Sequence, residues 1–230
     1  MNAGGGIVAE SEQARSPLAR LKVAILAADG VEQVELEAPL HVLRRAGADV
    51  EIVSPNTGGL SGMHGSESGD VFPVDRSVST AVARDHGALV IPGGAVSVGA
   101  LRANADAVRF VRDFAALGRP VAAIGEGPAL LVEVDAVRGR TLTSASDLAR
   151  EIEGAGGSWE DRASVVDQQL LTSRGTDDIR QFCAKLIDIL AAAVANSRVD
   201  EASQESFPAS DAPAWGPTSI GKSQERDPTD

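Results

Sequence analysis

LKVAILAADGVEQVELEAPLHVLRRAGADVEIVSP, residues 21–55, decides the fold. Its first seven residues form an unbroken apolar run apart from Lys22, as expected of a strand buried on both faces. After Asp29-Gly30 the period changes. Val34, Leu36, Leu40, Val42 and Leu43 share one side of a helix, and Gly47 is a natural stop. Residues 48–54, ADVEIVS, return to strand. A strand, a crossover helix and a second strand make a β-α-β unit, which pairs its strands in parallel.

The same alternation continues outward. GMHGSESGDVFPV (62–74) reads as a small hairpin around Gly65–Gly69. ALVI (88–91) is a buried strand closed by PGG, and a helix over about 105–117 stops at Gly118. VAAI (121–124) runs directly into GEGPALLVEV, a strand–turn–helix junction whose helix start offers free N–H groups to an anion. Short strands follow at 140–142, 165–166 and 170–172, then a last helix over about 177–194. The pattern predicts an α/β domain with an open parallel sheet sandwiched by helices. Such sheets bind ligands beyond the carboxyl ends of their strands, near the switch in strand order. The loops that matter are therefore 29–35, 92–98 and 125–128.

Composition bounds the rest. The chain has 230 residues, 43% of them hydrophobic, enough for one domain with tails. Its net charge of −12 repels phosphate backbones and anionic lipid, which argues against nucleic-acid or membrane partners. No apolar run reaches the roughly 20 residues of a membrane span. With no signal-like apolar core at the start, a cytoplasmic location is expected. The single cysteine, Cys183, forms no intrachain disulfide and reads as a small buried hydrophobe. Residues 1–20 read as a flexible arm before a domain at 21–195. Residues 196–230, with seven acidic and three basic residues, read as a disordered acidic tail, or alternatively as a docking segment around Trp215.

Ordered blocks carry a family resemblance over residues 21–192. They are the opening segment, HGSE (64–67), ALVIPGG (88–94), RPVAAIGEGPALLVE (119–133), VRGRTLTS (137–144), AGGSW (155–159), VVD (165–167) and LLTSRG (170–175). In these blocks the chain resembles the PfpI-type intracellular protease superfamily, which includes the Parkinson-associated deglycase and bacterial general-stress proteins. The resemblance implies a flavodoxin-like, class I glutamine amidotransferase-like fold and a homodimer or hexamer, with the HGSE hairpin near subunit contacts. It also implies a Cys–His site: A-I-C-H-G-P places the Cys on a tight elbow at a helix N-terminus, and a first-helix glutamate hydrogen-bonds the sulfur.

This chain reads A-I-G-E-G-P. Gly125 stands at the nucleophile position, Glu126 at the His position, and Val98 where a further glutamate follows PGG in the protease-like branch. Glu35 matches the first-helix glutamate. Glycine has no side chain to serve as nucleophile, so no cysteine-dependent peptidase or deglycase is expected. Relaxed strain at the elbow favours glycine.

Two functional readings follow. One is a non-catalytic, stress-related protein that binds a ligand at the elbow pocket, or a partner. The other is a cysteine-independent hydrolase, hydratase or glyoxalase-type enzyme that uses Glu35 and Glu126 as an acid/base pair on a small electrophile. Glu126 also reads as a surface residue that complements a helix dipole. Glu32, Gln33 and Glu37 read as a solvated face, and His86 as a solvated turn residue. His41, His64 and His86 lack partners at motif spacing. No metal-ligand or dinucleotide pattern is present, so neither metal nor cofactor is expected.

Overall fold

The computed structural model describes residues 16–205, with side chains through residue 197. In chain order the elements are β1 (Lys22–Leu26), β2 (Val31–Glu32), α1 (Gln33–Arg45), β3 (Asp49–Ser54), β4 (Gly59–His64), β5 (Glu67–Pro73) and β6 (Arg76–Ser77). There follow β7 (Ala88–Ile91), α2 (Ala95–Arg102), α3 (Ala105–Ala116), β8 (Val121–Ile124), α4 (Pro128–Glu133) and β9 (Thr141–Leu142). The last are α5 (Ala149–Gly154), β10 (Ser158–Trp159), β11 (Ser164–Asp167), β12 (Leu170–Ser173) and α6 (Ile179–Glu205).

Seven strands form the central sheet in the order β11-β12-β8-β7-β1-β3-β6. Every pair is parallel except β11 with β12. The sheet runs outward from β1 in two directions, to β3 on one side and β7 on the other, so the switch in strand order lies between β1 and β7. The helices make this a three-layer sandwich. Val23 and Ile25 face one layer, with Leu36, Leu40 and Leu43 of α1 and Phe182, Leu186 and Leu190 of α6. Ala24 and Leu26 face the other, with Leu101 of α2, Phe110 and Phe114 of α3, Leu130 of α4 and Ile152 of α5. The continuous apolar run of β1 is thereby explained, because successive side chains alternate between two dry layers. The α/β sandwich anticipated from the sequence is the fold of the protein.

Both domain edges differ from expectation. Leu18 is fully buried in the α1–α6 layer, and its N–H donates to Ala46 O at 3.1 Å, so the packed region begins before residue 21. The rest of the segment read as an arm, residues 1–15, lies outside the described residues. At the other end α6 continues through Glu205, ten residues into the segment read as tail. Its run of Ala and of long polar residues has good helix propensity, which composition-based disorder reasoning underweights. Trp215 and the remaining tail lie outside the described residues.

Two polar residues expected in solvent are buried. His86 is 1% exposed, packs edge-to-face on Phe110 at 5.9 Å, and places Nε2 3.0 Å from Glu51 Oε2. Gln33 is 4% exposed; its Oε1 accepts from Asp70 N–H at 2.7 Å and its Nε2 donates to Asp70 Oδ2 at 2.8 Å. That bond set pins the β4–β5 hairpin to α1, and Gly62 and Gly69 leave room for the amide. In both cases a partner distant in sequence makes burial tolerable.

Candidate functional site

Glu35 lies in the first turn of α1, and Pro39 follows four residues later inside the same helix. Proline has no N–H, so the Glu35 carbonyl lacks its usual helical donor. The Glu35 side chain turns into the sheet's carboxyl edge and is 3% exposed. There the chain ends of three strands enclose it with glycines. Cβ atoms placed on Gly93, Gly125 and Gly175 would lie 2.5, 2.8 and 3.6 Å from its carboxyl oxygens. Its Oε2 accepts the Gly93 N–H at 2.8 Å, and the Thr176 hydroxyl donates to Oε1 at 3.3 Å.

Glu126 projects from the turn after β8 and is half-buried. Its Oε2 accepts the Gly94 N–H at 2.8 Å. Gly94 is the N-cap of α2, so Glu126 complements the dipole of α2. Consecutive amides of the P-G-G turn therefore hold one carboxyl group each. The Oε2 atoms of Glu35 and Glu126 both lie within 2.7 Å of the position a Gly93 Cβ would take. The two residues singled out in the sequence are thus brought together, through a glycine turn that leaves them space.

Burial pushes the Glu35 pKa up to about 7, and the charge of Glu126 adds to the shift. The Gly93 and Thr176 hydrogen bonds oppose it. A carboxyl group in this state holds its proton near neutrality and can donate or accept it there.

Gly125 has φ +61°, in the left-handed region. Its N–H donates to Ser173 O at 3.2 Å and its carbonyl accepts from Ala145 N–H at 2.9 Å, so the elbow is clamped on both sides. The anion site expected at the start of α4 is not present as read. That helix has six residues and begins with Pro128, which has no N–H. The amides of Gly127, Ala129 and Leu130 already donate to Ile124 O, Glu126 O and Gly127 O. Val98 is 3% exposed and packs within α2.

Neither Cys183 nor the histidines join the site as hydrogen-bond partners of Glu35 or Glu126. Cys183 is buried on α6, where desolvation pushes its thiol up to about 11. His41 and His64 are exposed, and His86 is committed to Glu51. Among the described residues, no group of three or more His, Cys, Asp or Glu side chains is arranged to hold a metal ion. None of the described helices is long and apolar enough to cross a membrane. Sequence reasoning missed Thr176, which lies 141 residues from Glu35 and has no local pattern to mark it.

Comparison with known proteins agrees with this architecture. Residues 21–189 match the model of the DJ-1/PfpI family. An uncharacterized protein of Archaeoglobus fulgidus is 41% identical over 170 residues, covering 74% of this chain and 98% of that protein. Protein/nucleic acid deglycase 2 of Escherichia coli is 35% identical over 173 residues, covering 74% and 98%. Among solved structures, a DJ-1 superfamily protein from Salmonella typhimurium, crystallised as a cysteine-to-alanine mutant, superposes with a TM-score of 0.66 at 26% identity. The match covers 82% of this chain and 99% of that one.

Proposed function

The chain belongs to the DJ-1/PfpI family, and on that premise we propose that it is a member without cysteine-dependent chemistry, whose Glu35–Glu126 site binds a small molecule. One observation carries this reading: the Glu35 carboxyl stands 2.8 Å from where a side chain at residue 125 would begin. In the reading taken from the resemblance, that is the place of the nucleophile. Here a glycine meets the strained backbone and a carboxyl group takes the adjoining space. The one cysteine of the chain is locked in the core with a raised pKa, so no thiolate is available to replace it. Relatives named deglycases share the fold, and the proposal separates this chain from thiol-dependent activity. It includes a cytoplasmic setting and a homo-oligomer, the latter carried by the resemblance.

The test is an assay of the purified full chain on peptide, glycated-adduct and 2-oxoaldehyde substrates, beside a Glu35→Ala variant. The expected result is no turnover above that variant. Turnover well above it would overturn the reading. Light scattering checks the assembly, and a strictly monomeric mass would refute it.

A second reading rests on Glu35 keeping its proton near pH 7 beside Glu126. The pair would then serve as general acid and base on a small electrophile. That enzyme would show a pH–rate profile bending near neutrality and would lose rate on Glu126→Gln. A flat profile, or an unchanged rate, would sink it.

A further inference from the structure

Glu35 is closed off from solvent, and its bonding leaves few exits for a proton. Oε2 is occupied by the Gly93 N–H, a group that only donates. Oε1 faces the Thr176 hydroxyl at 3.3 Å. A hydroxyl both donates and accepts, so it serves either state of the carboxyl group: it donates to the carboxylate and accepts from the protonated acid. Thr176 is itself exposed, on the 3-10 turn Thr176–Asp178 that follows β12. Among the described residues it is the only side chain hydrogen-bonded to Glu35.

We infer that Thr176 is a positioning residue of the site, which orients Glu35 through Oε1 and supplies its ionised form with a hydroxyl donor. This deepens the proposed function and rests on its placing the ligand at Glu35. The charged groups acting on Glu35 from neighbouring elements are Glu126, after β8, and Glu32, in β2. Both are acidic and disfavour its ionised form. Arg174, two residues before Thr176, is engaged by Asp178 at 2.8 Å and Asp161 at 2.9 Å. The carboxylate is therefore stabilised by two hydrogen bonds, one from a backbone amide and one from Thr176. Loss of the hydroxyl withdraws a donor from the charged form and leaves the buried acid without a solvent-facing partner.

The experiment is an NMR titration of the Glu35 side-chain carboxyl carbon in the full chain, in the wild type and in Thr176→Val and Thr176→Ser. The expected result is a titration midpoint displaced to higher pH in the valine variant and restored in the serine variant. An unmoved midpoint in Thr176→Val would overturn the inference. So would an equal displacement in Thr176→Ser, which would trace the effect to packing and not to the hydroxyl. Native chemical-shift dispersion away from the turn checks that each variant is folded. The readout needs neither ligand nor turnover, so its failure is distinguishable from failure of the proposed function.

Discussion

A methyl group added at residue 125 tests the site's construction directly. Gly125→Ala places Cβ 2.8 Å from Glu35 Oε2, 3.2 Å from Oε1 and 3.4 Å from the carboxyl carbon. At φ +61° the backbone itself disfavours an L side chain by about 1–2 kcal/mol. The carboxyl group must also retreat, and its retreat breaks the 2.8 Å bond from Gly93 N–H. Leaving that buried amide unpaired costs about 1–3 kcal/mol more. The expected loss is therefore about 2–5 kcal/mol, read by urea denaturation under two-state conditions. A double-mutant cycle separates the two parts. In a Glu35→Ala background only the backbone cost of about 1–2 kcal/mol remains, since the steric opponent is gone. An equal loss in both backgrounds, or a loss under about 1 kcal/mol in the parent, would refute the idea that Glu35 fills the space beside residue 125.

The pH dependence of stability follows from the same carboxyl group. Its folded pKa of about 7 lies above the unfolded value of 4.5, so the folded state binds the extra proton between those limits. Stability from this group is full below about pH 4.5, falls as pH rises to about 7, and is flat beyond, a total of about 3 kcal/mol. Glu35→Gln should remove that slope and be the more stable protein at pH 8; an unchanged slope in urea titrations at pH 5 and 8 would contradict the assignment. Glu51 has the opposite sign. Hydrogen bonds from Arg76, Lys22 and His86 hold its pKa well below the ordinary carboxylate range. Its stabilisation is present above the unfolded carboxylate pKa and fades as pH falls toward 2. Glu51→Gln is expected to cost about 2 kcal/mol at pH 7 and much less under acid, checked by urea midpoints at both. Gln33→Ala should strip the Asp70 amide of its acceptor and loosen the β4–β5 hairpin by about 1–3 kcal/mol. Hydrogen exchange at Asp70 reports it, and retained protection there would count against the pinning role of Gln33.

Much of this molecule was legible in one dimension. ALVI at 88–91 and VAAI at 121–124 are strands at the bounds their apolar runs indicate, because strands buried on both faces need continuous apolar sequence. The first helix and its glycine stop follow likewise from local periodicity. The loops at strand ends were also legible as the place of the candidate site, since parallel sheets offer their ligand positions there. What the sequence left open depended on partners distant along the chain. His86 and Gln33 read as solvated because nothing local reveals that Glu51 and Asp70 await them. Glu126 could be read as a surface residue or as a partner of Glu35, and only the tertiary structure shows it half-buried with its carboxyl group on the Gly94 amide. Glu35 was visible as a carboxyl group on a helix, but its closure by Gly93, Gly125 and Gly175 is a property of three strand ends meeting. Burial, and with it a proton held near neutrality, is set by the surroundings of a group and not by its neighbours in sequence. The sequence alone determined the sandwich and the absence of a side chain at residue 125. The tertiary structure alone decided that a carboxyl group occupies the space beside it.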